Sequence, residues 1–262
     1  MTLRQRVALE VREVRRIWLR LKQSAGFLDL AGRCLRYFRR RLTDKKRMWP
    51  ECREWDLLYG TDTATEVTQG RLVTNSPRIS DAEPYQPTTP AQFERMLEHM
   101  TIDYPKFTFL DLGCGKGLAL LLASRYRFNN IIGVDFSPVL CDIARKNVKV
   151  FEAKMPGGPV IKVIHADAVQ YEFPEVPLCL YLFNPFGVSV MESVLQHLSA
   201  SLAKSPRMCW IVYKNPILHQ NIKDHGFNEI YRGEAYAIYC DGKALPYSQD
   251  IHLEANSSLS IT

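Results

Sequence analysis

Three glycines at alternate positions, Gly113, Gly115 and Gly117, follow an apolar and β-branched run in FTFLDLGCGKGLALLLAS, and an acid, Asp111, stands just ahead of them. The run reads as a strand, the glycines as a tight turn and the leucine-rich continuation as a helix, so the turn brings bare backbone close to a ligand. A dinucleotide pyrophosphate calls for Gly-x-Gly-x-x-Gly at an uncharged helix N-terminus. Here the spacing is Gly-x-Gly-x-Gly, and Asp111 in the same crevice repels a phosphate while attracting an ammonium or a sulfonium. Polar residues recur at equivalent places. Asp135, followed by Phe136 in GVDFSP, closes a second apolar run 24 residues after Asp111, where a carboxylate can accept from both hydroxyls of a ribose. Asp167 closes a third in HADA, placed to accept from an exocyclic amino group while the backbone N–H of Ala168 meets a ring nitrogen. Asn184 closes a fourth in LYLFNPFG.

An amino-acid head, a positive sulfur and an adenosine meet in one ligand, S-adenosyl-L-methionine. Each acid taken singly has a plainer role as a helix N-cap, and for Asp135 ahead of Ser137 and Pro138 that role fits well. As a set, four consecutive strand ends carrying the needed groups favour the ligand.

The elements that must hold these groups are legible from periodicity. AQFERMLEHM, KGLALLLASRY, PVLCDIARKNVKVF (with Pro138 in its first turn) and SVMESVLQHLSASL read as helices, and FTFLDL, NIIGVDF, VIKVIHAD, LCLYLFN and MCWIVYKN as buried strands. FNEIYRG and AYAIYC read as an antiparallel pair joined by a tight glycine-containing connection. Such alternation, with near-continuously apolar strands, implies a doubly wound, mostly parallel α/β sheet covered on both faces, with the ligand beyond the carboxyl ends of its strands.

The remaining sequence sets the surroundings. With 262 residues, 46% hydrophobic and 24% charged, the chain suits one large α/β domain with an appendage. Its apolar runs are too short to cross a bilayer and no secretory signal stands at its start, so a cytoplasmic location is expected. Seven cysteines without a C-x-x-C pair point to reduced thiols and to no metal site. Residues 1–50 hold 15 Lys and Arg against 4 Asp and Glu, a net +11, while the rest of the chain carries 19 against 24, a net −5. Val7, Leu9, Val11, Val14, Ile17, Trp18 and Leu21 recur between the arginines at roughly helical spacing. We read 1–50 as a basic amphipathic helical extension, packed on the domain with a solvated basic face or offered to an anionic surface. The span 51–90 reads as a connecting and cofactor-lid loop, 91–245 as the Rossmann-like domain and 246–262 as a tail.

The motif set DLGCGKG, GVDFSP, HADA and NPFG resembles that of the class I, seven-stranded S-adenosylmethionine-dependent methyltransferases. More narrowly, YGTDTATEV, YQPTTP, LYLFNPFG and VYKNP are similar to a bacterial group of such proteins, over residues 55 to 216. The resemblance implies a strand order of 3-2-1-4-5-7-6 with the last strand antiparallel. It also implies that Tyr85, Thr88 and Thr89, in the segment before the first helix, fold over the cofactor's methionine end. Asn184, Pro185 and Phe186 resemble the Asn-Pro-Pro-Tyr motif of amino-group methyltransferases, in which the Asn oxygen and the next carbonyl accept N–H bonds and aim a nitrogen lone pair at the methyl group. The second proline is missing and the aromatic comes one position early, so Phe186 either stacks on a planar acceptor or only follows a chain turn. Tyr213, Lys214 and Asn215 line the same rim or simply close a strand. His165 is expected as a core histidine rather than a base, and Cys114 as a space-filler rather than a nucleophile. The acceptor is expected to be an amine of a macromolecule, a protein lysine or a nucleic-acid base. A small-molecule acceptor and a non-catalytic cofactor-binding module are the alternatives, and an NAD-dependent reductase comes last.

Overall fold

The computed structural model describes residues 49–65, 85–184 and 186–241. The amphipathic extension up to residue 48, Pro185 and the 246–262 tail therefore lie outside the described residues. Seven strands form one sheet in the order β3-β2-β1-β4-β5-β7-β6. They are β1 (Thr108–Leu112), β2 (Asn130–Asp135), β3 (Ile161–His165), β4 (Leu178–Phe183), β5 (Cys209–Lys214), β6 (Phe227–Arg232) and β7 (Tyr236–Asp241). The first five run parallel, and β7 enters antiparallel between β5 and β6, so the fold class and strand order expected from the motifs are the observed ones.

The apolar character of the central strands follows from cover on both faces. On one face Phe109, Ile131, Cys179, Tyr181, Val212 and Ile238 pack beneath α1 (Pro50–Tyr59), α2 (Pro90–Leu97), α3 (Leu118–Ala123) and α4 (Pro138–Lys154). On the other, Leu110, Leu112, Leu180, Leu182, Ile211 and Tyr213 pack against α5 (Val188–Lys204) and α6 (His219–Asp224). Neighbours along each strand thus alternate between two cores. The edges behave differently. In β3, read from sequence as buried, and in β6 most residues are exposed or half-buried, because an edge strand has a neighbour on one side only.

Two elements escape the periodicity reading. Helix α1 lies where a loop is expected: Pro50 starts it, Gly60 ends it in the left-handed region, and Cys52 and Trp55 form a short apolar stripe. Trp55 stacks on Phe151 of α4 with centroids 5.8 Å apart, which ties this helix to the domain. Helix α6, of six residues with Ile222 as its one buried position, is too short to show a period. Six cysteines, at 52, 114, 141, 179, 209 and 240, are free thiols buried in this frame.

Candidate functional site

Strand β1 delivers the chain into a turn that only glycine accommodates. Gly113, Gly115 and Gly117 have φ of +90°, +55° and +85°. The N–H groups of Gly113 and Cys114 both donate to the Val134 carbonyl, at 2.8 and 3.1 Å, and so fasten the turn onto β2. Cys114 then lies so close to β2 that a Cβ on Gly133 would stand 2.8 Å from its Sγ. Burial pushes the Cys114 thiol well above its ordinary range, and its place is that of the space-filler expected.

The two acids at this corner differ in their bonding. Asp111 is 3% exposed and has no hydrogen bond or ion pair among the described residues. Burial, and then the neighbouring Asp135, hold its carboxyl well above the usual carboxylate range. Asp135 is equally buried, but Oδ2 accepts the Gly115 N–H at 2.9 Å and Oδ1 the Ser137 N–H at 2.8 Å. Burial still outweighs these bonds and the pull of His165, and raises its pKa to about 6. Each oxygen keeps a second lone pair. The helix cap on α4 is Ser137, whose Oγ accepts from the Leu140 N–H, so Asp135 is left free of that role.

Asp167 stands beyond the end of β3, where its Oδ1 accepts the Val169 N–H at 3.0 Å and turns the chain. The next residue, Ala168, is buried, and its N–H has no partner among the described residues. Phe136 packs with Leu140 and Tyr85 above the end of β2. His165 is exposed rather than a core residue, because β3 is an edge; its Nε2 lies 3.1 Å from the Phe136 carbonyl.

The segment before α2 divides by role. The Tyr85 ring lies against the glycine turn, so near that a Cβ on Gly115 would be 2.3 Å from its Cδ2, and its hydroxyl donates to the Thr63 carbonyl at 2.8 Å. Thr88 is buried and shares a 2.6 Å hydrogen bond with the Tyr181 hydroxyl. Thr89 is the N-cap of α2, in a capping box with Gln92. Of the three lid candidates, then, Tyr85 faces the turn while the hydroxyls of Thr88 and Thr89 are taken up by the protein.

At the other end of the rim, Asn184 leaves β4 with φ +40° and is buried, its Oδ1 accepting from the Tyr213 hydroxyl at 3.3 Å. That hydroxyl also accepts the Leu218 N–H at 3.4 Å. Asn215 repeats the left-handed turn after β5, with φ +53°. Lys214 sits over the Phe183 ring at 3.9 Å and donates to Gln92 Oε1 at 2.8 Å. Phe186 is half-buried against the α5 side of the sheet.

A further group was not singled out in the sequence. Lys116, between the second and third glycines, has a buried side chain whose Nζ meets Asp62 Oδ1 at 2.9 Å and the Thr65 hydroxyl. The available signal was a lysine inside a glycine turn together with the acid of YGTDTATEV. Among the described residues there is no cluster of three or more His, Cys, Asp or Glu able to hold a metal, and no helix long and apolar enough to cross a membrane.

Residues 109–205 match a family model described as a methyltransferase domain. No curated protein matches the chain. Among solved structures the chain is similar to an RNA methyltransferase from Salinibacter ruber in complex with S-adenosyl-L-homocysteine, at 21% identity and a TM-score of 0.41, over 60% of this chain and 92% of that one. It is also similar to a ribosomal protein L11 methylase from Lactobacillus delbrueckii subsp. bulgaricus, at 13% identity and a TM-score of 0.42, over 60% and 79%. A geranyl diphosphate C-methyltransferase from Streptomyces coelicolor A3(2) follows, at 13% identity and 0.43, over 58% and 77%.

Proposed function

We propose that the chain is a class I methyltransferase that binds S-adenosyl-L-methionine at the ends of β1 to β3 and transfers its methyl group to an amine of a macromolecule, a reading supported by its methyltransferase-domain match and its strand order. The reading rests above all on Asp111, a carboxyl group that is 3% exposed and to which the described residues offer no donor. A buried unpaired charge is costly, and a cationic amino group beside the glycine turn relieves it. The other groups fit the same ligand. Asp135 keeps two lone pairs for the ribose hydroxyls, Ala168 offers an unpaired N–H to the adenine ring, and Phe136 supplies an apolar wall.

When bound, the cofactor supplies an electrophilic methyl group, so the protein's part is to position the acceptor and keep water out. Asn184 has one Oδ1 lone pair left beside the Tyr213 hydroxyl, which accepts an N–H from the incoming amine and fixes the direction of its lone pair. Phe186 flanks the acceptor, and the amine reacts in its neutral form. Recruitment of a polyanionic or ribosomal partner falls to the basic residues 1–50, whose net charge is +11.

Calorimetric titration of the full chain with S-adenosylmethionine, S-adenosylhomocysteine and NAD tests the first half of this reading. Micromolar binding of the first two without NAD supports it, and no binding of either overturns it. Incubation with methyl-labelled cofactor and separated RNA, protein and small-molecule fractions tests the second half. Label confined to the small-molecule fraction replaces the macromolecular acceptor with a small one.

A further inference from the structure

Lys116 stands inside the glycine turn, between Gly115 and Gly117, and its ammonium is committed to the protein. The side chain is 2% exposed, and Nζ bonds to Asp62 and to Thr65. Asp62 in turn is lowered in pKa, with the hydrogen bonds from Thr65 and Lys116 overcoming the opposing effect of its partial burial.

The turn that carries Asp62 is fastened on two further sides. Asp56 of α1 accepts from the Thr61 hydroxyl at 2.6 Å, from the Thr63 N–H and hydroxyl at 2.8 Å, and from the Ala64 N–H at 2.7 Å. Asn147 of α4 clamps Asp62 by both backbone groups: its Oδ1 accepts the Asp62 N–H at 2.8 Å, and its Nδ2 donates to the Asp62 carbonyl at 3.1 Å. The same Nδ2 donates to the Lys116 carbonyl at 2.9 Å. The result is a short strap, residues 61–65, bound to α1, to α4 and to the glycine turn itself. Tyr85 completes it, with its hydroxyl held by the Thr63 carbonyl and its ring lying on Gly115.

We propose that Lys116 is a positioning residue for the cofactor: through Asp62 it holds the 61–65 strap, and through Thr63 the Tyr85 ring, against the edge of the glycine turn, so that a bound amino-acid end cannot leave until the strap lifts. This rests on the cofactor reading above. Asp62 is the water-facing end of the latch, its side chain 55% exposed while that of Lys116 is 2%. An ordinary surface ion pair would hold little, but here one partner is buried, and separation strands its charge. The latch is read in release, since its contacts must break before a ligand held behind them can leave.

The test is release of S-adenosylhomocysteine followed by stopped flow on the full-length protein, wild type against Asp62→Asn, Lys116→Met and the double variant. The expected result is an off-rate raised at least about tenfold in each single variant, and a double variant no faster than the faster single, as two ends of one latch require. Tyr85→Phe, which loses only the tie to Thr63, should release severalfold faster in the wild type and no faster still beside Lys116→Met. Asp62→Asn alters a half-open side chain and keeps the measurement available if Lys116→Met does not fold. Wild-type off-rates in a folded Asp62→Asn variant overturn the latch and leave cofactor binding standing. A wild-type protein that binds no S-adenosylhomocysteine overturns both.

Discussion

The carboxyl ends of β1, β4 and β5 each run out into a left-handed turn, at Gly113, Asn184 and Asn215, whereas β2 passes straight into the extended cap of α4, and the β1–β2 and β4–β5 pairs leave their polar groups in opposite states. At the first pair, Asp111 has no donor among the described residues and Asp135 has two lone pairs in reserve. At the second, Asn184 is held by Tyr213, Tyr213 by Leu218, and Lys214 by Gln92, Thr88 and the Phe183 ring. In the proposed reading the first half receives the charged cofactor, and the second, braced from within, leaves shape and one amide oxygen to choose the acceptor.

The strongest way to break this contrast is to fill the glycine turn. Gly115→Val adds a Cβ at φ +55° into the Tyr85 ring, so loss of S-adenosylhomocysteine binding beyond the range of calorimetry is expected. Placed in a Tyr85→Ala background the clash disappears but the strain remains, and binding should stay lost; recovery would mean that the ring alone was the obstacle. The braced half should respond in turnover and not in affinity. With an acceptor found by methyl labelling, Asn184→Ala is expected to lower kcat roughly 100-fold, the scale of one well-placed hydrogen-bonding group, while cofactor affinity holds. Equal losses in both would dissolve the division between the halves.

A smaller effect is expected for Asp135→Ala, which removes the proposed ribose contact together with the acceptor of the Gly115 and Ser137 N–H groups. Cofactor binding should weaken by roughly 1 to 3 kcal/mol, and an unchanged dissociation constant would count against the site.

The smallest effect concerns the protein without cofactor. Both acids have folded-state pKa values above the ordinary carboxylate range, so each contributes stability that is complete below its unfolded pKa and is lost as pH rises through the folded one. For Asp135 that window runs from 3.8 to about 6, and for Asp111 it extends upward from the same lower limit. The melting temperature of Asp111→Asn should therefore exceed that of the wild type at pH 7, and the gap should close toward pH 4. Saturating S-adenosylhomocysteine should favour the wild type instead. A gap that does not change with pH would show that Asp111 is solvated.

Much of the first half could be read in the sequence because its chemistry is local. A glycine with positive φ, an acid at a strand end and a proline opening a helix announce themselves within a few residues, as Gly113 to Gly117, Asp111, Asp135 and Pro138 do. The strand order followed from the motif set. What could not be read depends on distant partners. The use of Lys116 is decided by Asp62, 54 residues away, and Thr88 is taken up by Tyr181 and Lys214, 93 and 126 residues away. His165 was misplaced because a strand's sequence does not say whether it lies at an edge, and α1 was missed because Cys52, Trp55 and Tyr59 form too short a stripe against polar neighbours.

The buried thiols give this molecule an internal clock. Cys114 lies within the glycine turn, Cys52 on the buried face of α1, and Cys179, Cys209 and Cys240 on adjacent strands of the sheet. Since only a solvated thiolate reacts with an alkylating reagent, each cysteine should be modified at the rate at which its own surroundings open. Cys114 then times the breathing of the ligand turn and the sheet cysteines time global unfolding, on one unlabelled chain and without knowledge of what it methylates.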